Sequence, residues 1–410
     1  MKNISNIHDC YGCGVCATVC PQKIIDISLN ADGFYEPHIS DEAKCTDCGL
    51  CRCVCSYCDE GLSLKNPEIY SYAAWSKVHA VRRKCSSGGV GFEVGRTLIN
   101  EGYKVCGVRY NAEKNIAEHY IATTVEELIP SIGSKYIQSY TVDGFKAIDC
   151  KQKYLVTGTP CQIDSLRRYL QLRHKEENFI LMDFFCHGVP SMLMWRMYCS
   201  MVEDKIGKIS YASWRNKQTG WHDSWAMGID GEEHGQEVNW HDSYSSLLRE
   251  RSCYLQSRMS QGDAFYALFL GNCCLGKACY EHCKFKYDHS SADIRIGDLW
   301  GEKYKEDEDG VSAAIAFTPK GSDILSLTDC ELTELPFKIV AEGQMKEMPK
   351  KRKSYKIIME MLHHGNASIE DLKHKINSIK KIERRMNYLK NPMILFSVLL
   401  KKCHRNVFLN

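Results

Sequence analysis

Through the middle of the chain, short apolar runs alternate with longer amphipathic ones. Residues 89–100 place Val90, Phe92, Val94, Leu98 and Ile99 at helical spacing, and residues 104–110, with Val105, Cys106 and Val108, read as the strand that follows. The rhythm returns as a strand over 153–157, a turn over 158–161 and a helix through Leu166 and Leu170. It returns again as a strand over 178–185, a loop over 186–190 and another helix. Apolar strands alternating with helices predict an α/β domain with a mostly parallel sheet, its loops gathered at the carboxyl edge where cofactors bind.

Outside this region the pattern changes. Residues 24–29, 30–33 and 34–37 read as strand, turn and strand. Glu60, Gly61, Ser63, Asn66 and Pro67 mark a linker. From Lys346 the chain is basic and helical in pattern. The run 392–400 is apolar, but shorter than the roughly 20 residues needed to cross a bilayer, so it reads as a packing helix and no transmembrane segment is expected. The organisation expected is a small α+β unit over 1–62, a large domain over 70–345 divided near 150/151, and a basic tail over 346–410.

The chain has 410 residues, 44% hydrophobic and 25% charged, enough to bury more than one core. Its net charge of +2 is unevenly placed: residues 350–410 hold 15 Lys and Arg against 4 Asp and Glu, or +11, which leaves −9 for the rest. Such a tail suits an acidic partner or a solvated helix capping the domain, and no nucleic-acid partner is expected. The 23 cysteines follow a start, Met1 to Asp9, without the apolar core of a signal peptide, which predicts a cytoplasmic, reducing compartment.

Eight of those cysteines form two ladders: Cys10, Cys13, Cys16 and Cys20 before Pro21, then Cys45, Cys48, Cys51 and Cys55. The steps of three, three and four are those of a bacterial ferredoxin carrying two 4Fe-4S clusters, in which the fourth thiolate of each ladder reaches the other cluster. This assigns Cys10, Cys13, Cys16 and Cys55 to one cluster and Cys45, Cys48, Cys51 and Cys20 to the second. Gly12, Gly14 and Gly49 let backbone N–H groups turn toward the sulfurs. Structural zinc and disulfides are the alternatives. Ser56 stands where proline would follow the second ladder, and Cys53 and Cys58 read as bystanders. Exposed clusters of this kind point to an anaerobic host.

In the large domain, Ser86, Ser87, Gly88 and Gly89 precede a helix whose free N–H groups could hold a phosphate, although the same run is an ordinary helix cap. Thr157, Gly158, Thr159 and Gln162 form a second strand-to-helix turn. Neither a dinucleotide-binding fingerprint nor a P-loop is present. Cys161, Cys186, Cys274, Cys279 and Cys283 could supply a third 4Fe-4S centre, or Cys273, Cys274, Cys279 and Cys283 a zinc knuckle. His187 and His282 are candidate ligands or hydrogen-bonded neighbours. Cys85, Cys106, Cys150, Cys199, Cys253, Cys330 and Cys403 read as packing residues. Trp221, His222, Trp225, Trp240, His241 and Tyr244 form a substrate wall or an aromatic core segment.

Six ordered motifs carry a resemblance: 86–89, 133–136, 158–162, 186–191, 214–217 with Gly220 and Trp221, and 292–301. Together they resemble the coenzyme F420 hydrogenase/dehydrogenase beta-subunit family, here fused to a ferredoxin unit. The resemblance implies FAD in the large domain, with Ser86, Ser87, Gly88 and Gly89 at its phosphates and Thr157, Gly158, Thr159, Gln162 and His187 along the flavin. It also implies a third cluster on Cys161, Cys186, Cys279 and Cys283, with Cys274 in reserve. The spacing from Cys279 to Cys283 is one residue longer than the family's.

The function expected is an iron–sulfur flavoprotein oxidoreductase that passes electrons between its clusters and FAD. Hydride exchange with a deazaflavin, nicotinamide or organic substrate would take place at the flavin, with ferredoxin or another redox protein as partner. The alternative is an electron-transfer subunit whose chemistry lies on another chain. No hydrolase or metalloprotease motif is present, and the sequence singles out no catalytic residue.

Overall fold

The computed structural model describes residues 3–64, 69–231, 255–365 and 367–390. Residues 65–67 of the linker, Trp240, His241, Tyr244, Cys253, Cys403 and the apolar run 392–400 lie outside them.

In chain order the strands are β1 (Ile25–Leu29), β2 (Tyr35–Ile39), β3 (Tyr70–Ser76), β4 (Lys104–Asn111), β5 (Ile116–Ala122), β6 (Ser139–Tyr140), β7 (Tyr154–Thr157), β8 (Phe179–Phe184), β9 (Ile209–Ser213), β10 (Ala226–Gly231), β11 (Leu255–Arg258), β12 (Ile294–Asp298), β13 (Ser312–Ala316) and β14 (Cys330–Glu334). Nine of them form one sheet in the order β14-β3-β13-β12-β8-β7-β4-β5-β6. Its centre, β12-β8-β7-β4, is parallel as the rhythm predicts. β5 pairs parallel with β6. Antiparallel pairs flank that centre: β4 with β5 on one side, and β12 with β13, β13 with β3 and β3 with β14 on the other. β3 pairs antiparallel with β13, and β13 with β12, so β3 runs in the same sense as the parallel strands. The chain therefore leaves β3, β12, β8 and β7 at one edge.

Strand alternation sorts side chains into two cores, one on each face. Leu155 and Ile180 join Val90, Val94 and Leu98 of the helix Val90–Asn100, whereas Val156, Phe179 and Leu181 join Ile163, Leu166 and Leu170 of the helix Pro160–Leu172. Burial on both faces explains why these strands read as continuous apolar runs. A third core forms around the helix Met192–Ile206 and the small sheet β9-β10-β11. Ile358, Leu362, Ile369, Leu372 and Ile376 of the helices Tyr355–His364 and Ile369–Lys390 are buried in it. The start of the basic tail is thus packed into the large domain rather than hung beside it. No helix among the described residues is long and apolar enough to cross a membrane.

Arg295 on β12 stands opposite Asp183 on β8. Both side chains are fully buried. The guanidinium bonds the carboxylate through Nε and Nη2, each at 2.7 Å, and reaches the carbonyls of Tyr287 at 2.8 Å and His289 at 3.1 Å. Ser290 Oγ donates to the same carboxylate at 2.7 Å. Asp183→Asn leaves a buried cation without its partner, and stability is expected to fall by about 3–5 kcal/mol in urea unfolding of the anaerobically prepared protein.

Candidate functional site

The two halves of the N-terminal unit repeat one local design. Gly14 and Gly49, at φ 72° and 76°, start the short helices Val15–Val19 and Leu50–Cys53 in the left-handed region. Gly12 and Asp47, at φ 64° and 52°, occupy matching places between the first two thiols of each ladder. The Gly12 N–H donates to Cys10 Sγ at 3.3 Å. β1 and β2 pair antiparallel across the turn that ends at Gly33.

Every described cysteine is a free thiol. Twelve of them ring three cavities in three groups of four. Cys20, Cys45, Cys48 and Cys51 line the first, of about 380 Å³. Cys10, Cys13, Cys16 and Cys55 line the second, also about 380 Å³, and Cys161, Cys186, Cys279 and Cys283 the third, about 660 Å³. The ladders cross, since Cys20 joins the second ladder's thiols and Cys55 the first's. Cys273 and Cys274 are buried in the hydrophobic core instead, so the knuckle grouping does not form. Among the described residues no three His, Cys, Asp or Glu converge closely enough for a single metal ion; the thiols surround cavities. Burial pushes Cys13 up to about 11 and Cys279 to about 12, and holds Cys16 and Cys161 well above the ordinary thiol value. A hydrogen bond from Cys58 pulls Cys55 down to about 6, so Cys58 has a contact its bystander reading lacked.

The second and third cavities share Cys10 and Tyr11 as a wall. Tyr11 meets Tyr57 and Phe285 edge to face, with ring centroids 5.3 and 5.8 Å away, and its hydroxyl bonds the His282 carbonyl. The N-terminal unit is held there by many polar contacts. Gln138 accepts from the Tyr35 N–H at 2.9 Å and donates to the Tyr11 carbonyl at 3.1 Å, and Thr141 Oγ1 donates to the Cys13 carbonyl at 2.9 Å. Lys284 Nζ bonds the carbonyls of Ser56, Asp59 and Gly61. Ser191 Oγ donates to the Asp32 carbonyl at 2.6 Å.

Thr159 and Gln162 also line the third cavity. They form a capping box at the start of the helix Pro160–Leu172, with the Thr159 N–H on Gln162 Oε1 at 2.9 Å and Thr159 Oγ1 3.1 Å from Cys161 Sγ. The Gly158 N–H bonds the Met182 carbonyl at 3.1 Å, and the Thr157 carbonyl meets His119 Nε2 at 3.0 Å. His187 bonds Asn272 Oδ1 at 2.7 Å and packs on Phe269; burial lowers its pKa. His282 packs on Tyr57. Lys286 lines the cavity and holds the carbonyls of Cys186 and His187.

The 86–89 loop lies further along the same sheet edge. Ser87 Oγ donates to the Val311 carbonyl at 2.8 Å and the Gly88 N–H to Ser312 Oγ at 2.9 Å, so both are engaged within the protein. A Cβ on Gly88 would stand 2.3 Å from the Ala74 carbonyl oxygen, which makes this glycine a packing requirement. Gly89 starts the helix Val90–Asn100 at φ 90° without a side-chain cap. Ser86 Oγ accepts from the Ser134 N–H at 2.9 Å. From Ser87, beside Gly297 on β12, to Thr157 at the end of β7 is two strand spacings, about 10 Å.

Arg215 and a row of rings join the loop to the cavity. Arg215 bonds the Ser86 carbonyl at 3.2 Å, the Tyr136 hydroxyl at 3.2 Å and Asp298 at 3.0 Å, between the rings of Trp225 and Trp300. Tyr136 stacks on Phe269, which meets His187. Trp221 is buried, stacked on Trp300 and bonded to Asp298 at 2.9 Å, so the 221–225 segment is an aromatic core. Sequence reasoning missed Tyr11, Gln138, Lys284, Phe285 and Lys286. Their one signal was the run from Cys283 to Lys286, two cations and a ring directly after a candidate ligand.

With this geometry in view, the fold and the thiol groups define a redox subunit built on a mixed α/β sheet. Residues 151–335 match the C-terminal region of the family described as "Coenzyme F420 hydrogenase/dehydrogenase, beta subunit", and this part of the chain belongs to that family. Among solved structures, a chain of "Xenon derivatization of the F420-reducing [NiFe] hydrogenase complex from Methanosarcina barkeri" matches at 16% identity and a TM-score of 0.41, over 78% of this chain and 96% of that one. No curated protein matches the chain.

Gly12 tests the shared wall. A Cβ there would lie 2.3 Å from the Tyr35 carbonyl oxygen and 2.5 Å from Gln138 Nε2, on a backbone at φ 64°. Gly12→Ala is expected to destabilise the protein by more than about 1 kcal/mol in thermal unfolding. It should also raise hydrogen exchange at residues 138–141.

Proposed function

We propose that the chain is an iron–sulfur flavoprotein oxidoreductase with three 4Fe-4S clusters and FAD. The observation that carries this reading is the sorting of twelve cysteines into three thiol rings of four, two of which share the Cys10 and Tyr11 wall. The thiols fit cubane clusters: they ring cavities, they form no disulfides, and the Gly12 N–H is already aimed at a sulfur. Cys20, Cys45, Cys48 and Cys51 would hold the outermost cluster, Cys10, Cys13, Cys16 and Cys55 the next, and Cys161, Cys186, Cys279 and Cys283 the third.

FAD would lie along the sheet edge, with its phosphates at Ser86 and the helix end at Gly89 and its ring system toward Thr157, Thr159, Gln162 and His187. Ser87 and Gly88 shape that loop through their bonds to Val311 and Ser312. Bound there, a flavin would exchange a hydride with a deazaflavin, nicotinamide or organic substrate and single electrons with iron–sulfur centres. The residues of the chain orient and exclude. Lys286 fixes the carbonyls of the Cys186 and His187 peptides, and the Thr159–Gln162 box fixes the turn that carries Cys161. Tyr11, Phe34 and Phe285 keep water from the third cavity. Family membership of residues 151–335 also favours a second reading, an electron-transfer subunit working with another chain.

Anaerobic purification of the full chain, with iron, zinc and flavin counted, tests the proposal. About twelve irons and one FAD per chain are expected. A colourless, zinc-loaded protein without flavin would overturn it. Reduction of the bound flavin by NADH, NADPH or a reduced deazaflavin with the isolated chain supports the reductase; reduction only with a co-purifying partner supports the electron-transfer reading.

Single-ligand variants separate the units. Cys13→Ser should remove about four irons and keep FAD, whereas Cys161→Ser should remove about four irons and keep the paired signals of the two N-terminal clusters by EPR.

A further inference from the structure

Two lysine ammonium groups flank the 86–89 loop without a carboxylate to pair with. Lys217 is 3% exposed, and its Nζ donates to the carbonyls of Arg82 at 2.6 Å, Asp309 at 2.6 Å and Ser87. Lys135 is partly exposed in a recess on the other side, its Nζ on the carbonyls of Pro130 at 3.1 Å, Ser131 at 2.9 Å and Ile132 at 3.0 Å. The next residue back, Ser134, donates to Ser86. Both ammonium groups act on the thiol of Cys85, directly before the loop, which fixes them as its two flanks.

The other charges at this place cancel. Arg215 is matched by Asp298 at 3.0 Å, and Glu93, in the first turn of the helix Val90–Asn100, accepts from Arg96 Nε at 2.7 Å. Asp298 is the carboxylate that acts on Lys217, but it is already bonded by Arg215 and Trp221. With those two pairs neutral, Lys135 and Lys217 leave an excess of two positive charges around an uncapped helix end. Carbonyl dipoles solvate an ammonium group but do not neutralise it, and an unmatched charge out of water is costly. Burial accordingly pushes Lys217 down to about 8 and Lys135 to about 7.

We infer that Lys135 and Lys217 are the charge-matching residues of a diphosphate site at the 86–89 loop, selecting a doubly negative phosphoanhydride and holding the loop in register for it. The inference rests on the FAD reading and deepens it: the two lysines recognise the diphosphate bridge of the dinucleotide and not its ring system. Lys217 is also a positioning residue, because its bond to the Ser87 carbonyl ties the loop to the strand-end segments at Arg82 and Asp309.

The test uses the full chain, purified anaerobically and stripped of flavin, with Lys217→Gln and Lys135→Gln, which keep N–H donors for the carbonyls but lose the charge. Titrations with FAD, ADP and riboflavin are followed by flavin fluorescence and calorimetry. Each variant is expected to weaken FAD and ADP by about tenfold or more and to leave riboflavin unchanged, with Lys217→Arg restoring part of the loss. Equal weakening of FAD and riboflavin would mean a merely structural role and overturn the inference, as would wild-type affinity in both variants. Wild-type protein that binds no flavin would sink the FAD reading, and the lysines are then judged with inorganic pyrophosphate. A thermal shift by pyrophosphate that disappears in the variants sustains them as an anion site; one that persists, or is absent from wild type, overturns it. Lys217→Met serves the same comparison should the glutamine variant not fold.

Discussion

The buried pair of Asp183 and Arg295 is the joint on which the candidate site depends. It ties β8 to β12 at the centre of the sheet, three residues before Cys186 on one side. On the other side the guanidinium holds the Tyr287 and His289 carbonyls, in the segment that follows Cys283. Two thiols of the third cavity, far apart in sequence, therefore hang from one ion pair. Desolvating two charges is repaid by a two-point bond, further donors and the rings of Phe185 and Phe317 on the guanidinium. An apolar pair of equal volume could fill the same space, but it could not hold three backbone segments at fixed angles.

From that joint the site grows outward in a line. Lys286 fixes the 186–187 carbonyls from within the third cavity, while Lys284, two residues earlier, fixes the 56–61 segment just after Cys55. One short strand of chain thus positions thiols in two cavities at once. The N-terminal unit has a small core of its own, around Ile4, Ile25, Ile27 and Val54 of the described residues. Its place against the large domain is set by polar contacts to backbone carbonyls, whose geometry is stricter than that of apolar packing.

Much of this was legible in the chain, for identifiable reasons. The ladders read correctly because ligand spacing is local: thiols three residues apart must share a turn, and a left-handed residue between them leaves Gly12 and Asp47 as traces. The parallel centre of the sheet read correctly because burial on both faces makes strands uniformly apolar. The antiparallel flanks did not, since β13 is as apolar as β8 and periodicity carries no direction. At the 86–89 loop the sequence shows small residues but not where their hydrogen bonds go. Ser87 and Gly88 turn inward to β13 because β3 and β13 approach there, a contact across more than two hundred residues. The tail looked separate because its charges are obvious and its apolar face is spread over two helices.

The exposure of the thiols gives the line a direction. Cys48, in the outermost cavity, is exposed, whereas the third cavity is closed by residues from both units. On the proposed function, a redox protein would exchange single electrons at the exposed end, where contact needs only proximity. Hydride chemistry requires direct contact between two rings and suffers from water, and it belongs at the sheet edge among Tyr136, Phe269 and His187. Tyr11 stands between the two regimes. Its ring walls both inner cavities, so any passage between them crosses an aromatic side chain or the Cys10 backbone rather than solvent.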